Sequence, residues 1–114
     1  MAHYKLLVWT EPTPGQEDEY NRWYNDVHLA DVVQVPGFVS AQRFRLQTAV
    51  SGEMPHRYLA IYEIDCDDPQ QVLADLFAAA EAAGMSISGA LNSETPVLGL
   101  FEPCSPVVMA PARS

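Results

Sequence analysis

Read for the spacing of its apolar positions, the chain changes period several times. Residues 3–9, HYKLLVW, carry β-branched and aromatic side chains with only partial alternation, which predicts a central strand buried on both faces. TEPTPG, with two prolines and a glycine, breaks it. From about Gln16 to Val33 the spacing becomes helical. Tyr20, Trp23, Tyr24 and Val27 form an apolar stripe whose next inward position is His28. Glu17, Asp18 and Glu19 fall in the first turn, where the helix dipole favours acids, and Pro36-Gly37 stops the helix. FVSAQRFRLQT (38–48) returns to a period of two, setting Phe38, Ser40, Gln42, Phe44 and Leu46 against Val39, Ala41, Arg43, Arg45 and Gln47. AVSGEMP reads as a hairpin loop. HRYLAIYEI (56–64) is then a third strand with Tyr58, Ala60, Tyr62 and Ile64 on one face.

Asp68 as cap and Pro69 in the first helical position predict a second helix, QQVLADLFAAAEAAG. Its stripe is Val72, Leu73, Leu76, Phe77 and Ala80, and Gly84 is placed to cap its C-terminus. ETPVLGLFEP (94–103) is the last strand, in which Gly99 hints at a bulge or a close backbone approach. The order is β-α-β-β-α-β, the ferredoxin-like arrangement: a four-stranded antiparallel sheet with two helices on one face. Residues 1–102 form one domain. Residues 103–114 form a Pro-rich tail that arms across a neighbour or frays. The uncovered sheet face, expected to carry large side chains such as Phe and Tyr, has to be hidden. A second copy packed sheet to sheet would hide it, so a homodimer is expected.

Composition narrows the function classes. With 15 acids against 6 bases the net charge is −9, which disfavours nucleic acid and anionic membrane surfaces. No apolar run is long enough to span a bilayer, and the N-terminus lacks the apolar core of a signal peptide, so the expected compartment is the cytoplasm. Cys66 and Cys104 are far apart in the sequence and read as free thiols, with one disulfide left open. There is no G-x-G-x-x-G, P-loop or G-x-S-x-G, so nucleotide cofactors and triad hydrolysis are poor fits. Nothing in the spacing of His3, His28 and His56 supports a metal site.

The chemistry-bearing residues gather on the first helix. Tyr24, His28 and Asp31 stand at i−4, i and i+3, so they share one helical face. An imidazole with a pKa near 7, steadied by a carboxylate, moves protons at neutral pH. Here Asp31 would orient His28, and Tyr24 would donate a hydrogen bond to a carbonyl or developing enolate. The alternative is a helix-end histidine that caps carbonyls or pairs with Asp31 at the surface. Tyr20 and Trp23 read as core or pocket wall suited to a flat apolar ligand. Arg43 either anchors a ligand carboxylate or phenolate by a bidentate contact or pairs with an abundant acid such as Glu63. Tyr58 and Tyr62 either present hydroxyls to the pocket or fill the dimer core. Glu63, costly to bury alone, reads as a salt-bridge partner.

Together with the element order, EYNRWYNDVHLADVVQVPGFVSAQRFR resembles the dimeric α+β barrel superfamily, and within it the EthD-like group, named for ethyl tert-butyl ether degradation. The resemblance rests on an aromatic-rich first helix, a Val-His pair near its end and a Pro-Gly-Phe entry into the second strand. Many relatives place a proline soon after the histidine; this chain reads HLAD, so the helix is expected to run on. The resemblance implies a homodimer that binds an apolar, aromatic or polyketide-like molecule between sheet and helices, with His28 as the recurrent polar group. No match to haem-ligating patterns is found, and no cofactor is expected. The implied activity is acid/base chemistry of lyase, isomerase or aldol-type cyclase class. The alternatives are a cofactor-free monooxygenase on a phenol and a non-catalytic binding or stress-response module.

Overall fold

A computed structural model describes residues 2–82 and 87–113. The elements run β1 (Ala2–Thr10), α1 (Glu17–Trp23), a π-helical turn (Tyr24–His28), α2 (Leu29–Val32), β2 (Phe38–Arg45), β3 (Tyr58–Cys66), α3 (Pro69–Glu81) and β4 (Val97–Phe101). The strands form one antiparallel sheet in the order β2-β3-β1-β4. This is the ferredoxin-like order expected from the pattern, with β3 and β1 central.

The first helical segment departs from a plain α-helix. Its axis runs on past His28 into α2, as HLAD in place of a proline permits, but Tyr24–His28 winds as a π-turn. The wider turn shifts the angular relation of residues before and after it. At α3 the cap is as expected: the Asp68 carboxylate accepts from the Gln71 amide at 3.2 Å, with Pro69 opening the helix. Gly84 lies outside the described residues.

One face of the sheet carries the core. Leu6, Tyr58, Ala60, Tyr62 and Ile64 pack against Tyr20, Trp23 and Tyr24, and against Val72 and Leu76 of α3. A bulge between Phe38 and Ser40 changes the face assignment in β2. Phe38 pairs with Ile64 and meets Tyr62 on the helix side, and after the bulge Ala41, Arg43 and Arg45 take that side opposite Tyr62, Ala60 and Tyr58. The strict alternation read from the sequence would have kept Phe38 with Phe44; an extra residue in one strand cancels that.

The other face bears Leu7, Trp9, Phe44, Leu59, Ile61 and Phe101, half-buried or exposed in one chain. Strand β1 is therefore covered on one face only, not on both. The tyrosines expected on the bare face are on the helix side instead, Tyr58 at 4% and Tyr62 at 2% exposure. Glu63 faces Lys5 at 3.7 Å and His3 at 3.8 Å, and accepts from the Ser40 hydroxyl at 3.0 Å, a surface polar strip. At Gly99 the register with Leu7 is regular; what comes close is the Phe101 ring, whose Cε1 would lie 2.9 Å from an added Cβ. Residues 103–113 are exposed and carry no helix or strand. Cys66 is buried, Cys104 exposed, and both are free thiols. No helix among the described residues is long and apolar enough to cross a membrane.

Candidate functional site

Between the sheet and the helices lies a cavity of about 300 Å³. Its floor is Leu6, Val8 and Thr10 of β1, Tyr62 of β3 and Leu98 of β4. Its walls include Tyr24, His28 and Val32 from the first helical segment, and Leu76, Phe77 and Ala80 from α3. The strand period explains the floor, because alternate residues of β1 share the helix side. Among the described residues the lining is apolar except for Thr10, Tyr24, His28 and Tyr62. Thr10 belongs to no recognisable motif, and only its register with Leu6 and Val8 marks it in the sequence.

His28 is held by rings. It stacks on Trp23 with centroids 4.5 Å apart and meets Tyr24 edge-on at 5.0 Å. Its Nδ1 is buried with no hydrogen-bond partner among the described residues. Burial pushes its pKa down to about 4; the Asp31 charge opposes that shift and Arg43 adds to it. The ring is therefore neutral at pH 7, not poised near it as expected. Asp31 does not orient the ring through a hydrogen bond. It lies in a surface hollow with Gln34, Val35 and Asp75 and acts on His28 only through space.

Burial likewise raises the pKa of the Tyr24 and Tyr62 phenols, so both stay neutral, and the Tyr62 hydroxyl donates to that of Tyr24 at the cavity wall. Tyr20 is fully buried and shares a 2.5 Å hydrogen bond with the Thr10 hydroxyl. Its ring lies 5.6 Å from Tyr24 and 5.2 Å from Tyr58, both edge-on.

Arg43 is not in the cavity lining. Its guanidinium carbon sits over the Tyr24, Tyr20 and Tyr58 rings at 4.3, 5.1 and 5.2 Å. It donates to Asn25 Oδ1 at 2.7 Å and Asn21 Oδ1 at 3.0 Å. The expected pairing with Glu63 does not form, since the bulge puts Arg43 on the opposite face of the sheet. Tyr58 also faces away from the cavity: its hydroxyl donates to the Glu17 carboxylate and accepts from Asn21 at 3.3 Å. That tyrosine bond holds Glu17 below the usual carboxylate range. Of the expected site residues, the structure brings Tyr24, His28 and Tyr62 together at the cavity, with Trp23 behind His28. Tyr20, Arg43 and Tyr58 form an adjoining cluster, and Asp31 stands outside both. The asparagines that hold Arg43, at i and i+4 on α1 and the π-turn, were missed; their spacing was the available signal.

No hydrogen bond or ion pair links the three histidines, all of which are among the described residues. His3 contacts Asp65 at 2.5 Å, and His56 contacts the Thr95 carbonyl at 2.6 Å. No cluster of metal-ligating side chains occurs among the described residues.

A ferredoxin-like sheet with a pocket under its helices is the fold of the dimeric α+β barrel proteins, and comparison with solved structures agrees. By sequence, the chain matches no family profile and no curated protein. By structure, it is similar to an EthD-family protein of Bacillus halodurans, at 16% identity, TM-score 0.58, over 90% of this chain and 99% of that one. It is similar to the heme-degrader MhuD of Mycobacterium tuberculosis, solved with two hemes in its active site, at 23% identity, TM-score 0.57, over 92% and 99%. It is also similar to the ActVA-Orf6 monooxygenase of Streptomyces coelicolor in complex with nanaomycin D, at 14% identity, TM-score 0.54, over 96% and 93%. The resemblance to the EthD-like group thus holds at the level of the fold.

Proposed function

We propose that this protein is a homodimeric, cofactor-free monooxygenase acting on an electron-rich phenol bound in the cavity between sheet and helices. The observation that carries the reading is a neutral imidazole with an unpartnered buried nitrogen in the wall of an apolar cavity of about 300 Å³. A buried polar atom without a partner costs about 1–3 kcal/mol and calls for an explanation, and ligand chemistry supplies one. The solved relatives favour the oxidative branch over a lyase or isomerase. One is a monooxygenase with a ligand bound, another degrades heme, and none of the three is described as a lyase or isomerase.

The chemistry balances without an external reductant. His28 accepts the phenolic proton, dioxygen takes one electron from the phenolate, and the radical pair combines at a ring carbon. The proton returns to give a hydroperoxide, and loss of water leaves the quinone. Phenol plus dioxygen becomes quinone plus water, and His28 ends neutral. Tyr24, kept protonated by burial and accepting from the Tyr62 hydroxyl, donates to the developing oxyanion. Transferring a proton from a phenol of pKa about 10 to an imidazole at about 4 is uphill by roughly 8 kcal/mol. Attraction between the resulting ions returns about 4 kcal/mol at an effective dielectric of 20. The remainder fits within the barrier of about 17 kcal/mol that permits one turnover per second.

Haem is not part of this reading. Among the described residues the lining includes no cation to take a porphyrin's carboxylates, and His28, the one imidazole there, lies flat against Trp23.

An oxygen electrode with hydroxynaphthalene and anthrone-type probes tests the proposal. Dioxygen uptake should match quinone formation one to one, and His28→Ala should slow it by about 10²- to 10⁴-fold. Turnover that continues undiminished without oxygen would restore the lyase or isomerase reading. Binding without turnover, unchanged by His28→Ala, would leave a binding module.

A further inference from the structure

Three of the chain's six basic side chains are ion-paired: Lys5 with Glu63 at 3.7 Å, Arg22 with Glu19 at 2.5 Å, and Arg57 with Glu11 and Glu17 at 3.4 Å each. In a chain of net charge −9 that is the ordinary fate of a cation. Arg43 and Arg45 are different. They line one recess of about 320 Å³ with Asn21, Asn25, Phe44 and Tyr58, and neither has a carboxylate within ion-pair distance among the described residues. Arg43 is held by two neutral amide oxygens and three aromatic rings, which fix its position without cancelling its charge. Glu17, the acid that feels the Arg45 charge, is already bound by Tyr58 and Arg57.

We propose that the Arg43–Arg45 recess is a binding site for a small aryl carboxylate, separate from the apolar cavity and independent of what that cavity does. A guanidinium has five N–H donors in a planar fork. Arg43 spends two on Asn21 and Asn25 and one on the Tyr20 phenol, and keeps the other two. Arg45, exposed, supplies a second fork of the kind that takes a carboxylate in bidentate fashion. The Tyr58 ring borders the recess, so a planar aromatic acid gains contact that a bare ion does not. Arg43, held in place without an ion-paired acid, and the exposed Arg45 beside it leave a local positive field for that carboxylate.

Titration calorimetry and amide NMR of the whole chain, at constant ionic strength, read the site with benzoate, acetate and inorganic phosphate as probes. Benzoate should bind with a dissociation constant on the order of 1 mM and more tightly than acetate. It should shift the Asn21 and Asn25 side-chain signals. Arg45→Gln, at an exposed position that holds no other element, should weaken benzoate about tenfold, and Arg22→Gln should leave it unchanged. Benzoate binding that survives Arg45→Gln overturns the proposal, as does equal binding of all three probes. If no probe binds and Arg45→Gln shifts the chain toward monomer, the recess holds a carboxylate of a second copy, and the proposal is wrong.

Discussion

Removing the His28 ring from water disfavours its cationic form, and the attraction of Asp31 recovers only part of that loss. The consequence reaches stability. Unfolded, the imidazole takes a proton near pH 6.5; folded, only near pH 4. Between those values the unfolded chain binds the extra proton and the folded one does not. The folded state therefore loses ground as pH falls through this window, and the contribution is constant above and below it. At pH 5 the penalty is about 2 kcal/mol. Urea unfolding of wild type and His28→Gln at pH 7 and pH 5 isolates it: the variant should gain about 2 kcal/mol on wild type at the lower pH. Parallel pH profiles would mean that the ring titrates freely in the folded protein. The residue itself was legible in the sequence, because helical spacing alone puts His28 on the inward stripe. Its low pKa and its lack of a partner were not, since both depend on two rings and a sheet that the local pattern does not specify.

Local irregularities set where elements point, and these were the least legible features. The π-turn at Tyr24–His28 and the bulge in β2 each insert one residue into a regular period, and the bulge moved a predicted site residue, Arg43, away from Glu63. Hydrophobic spacing shows that an element exists; a one-residue slip hardly alters the pattern but redirects every side chain beyond it. The Pro36-Gly37 stop, by contrast, is written in the sequence and serves a second purpose. Gly37 has φ +100°, and an added Cβ would meet Val72 Cγ2 of α3 at 2.9 Å. Val72 is 6% exposed, and a β-branched side chain in a helix has little rotamer freedom to yield. Gly37→Ala should cost about 3 kcal/mol, combining the left-handed backbone and the overpacking. Gly15, at φ +81° with nothing within 4 Å, provides the comparison. Gly15→Ala should cost only about 1 kcal/mol. At about 4 °C per kcal/mol for a domain of this size, thermal melts separate the two. Equal shifts would show that α3 does not press on the turn.

At the scale of the whole molecule, the architecture was legible because βαββαβ order leaves one sheet face bare, whatever the details of each element. That face displays Leu7, Trp9, Leu59 and Ile61 at its centre, beside the Lys5–Glu63 strip. Two copies joined there would bring −9 and −9 together, −18 in total, so long-range charge opposes the dimer while apolar burial drives it. These two terms respond oppositely to salt. If apolar burial dominates, raising salt from about 20 to 200 mM screens the repulsion and should tighten the dimer in sedimentation equilibrium. If ion pairs across the Lys5–Glu63 strips dominate, the same change should loosen it. Ile61→Lys, which by symmetry enters the interface twice, should raise the dissociation constant by about 30-fold or more and keep the native far-UV spectrum. A tighter dimer in salt together with a folded Ile61→Lys monomer would assign the contact to the apolar centre of the sheet. A dimer indifferent to both would have to use another surface.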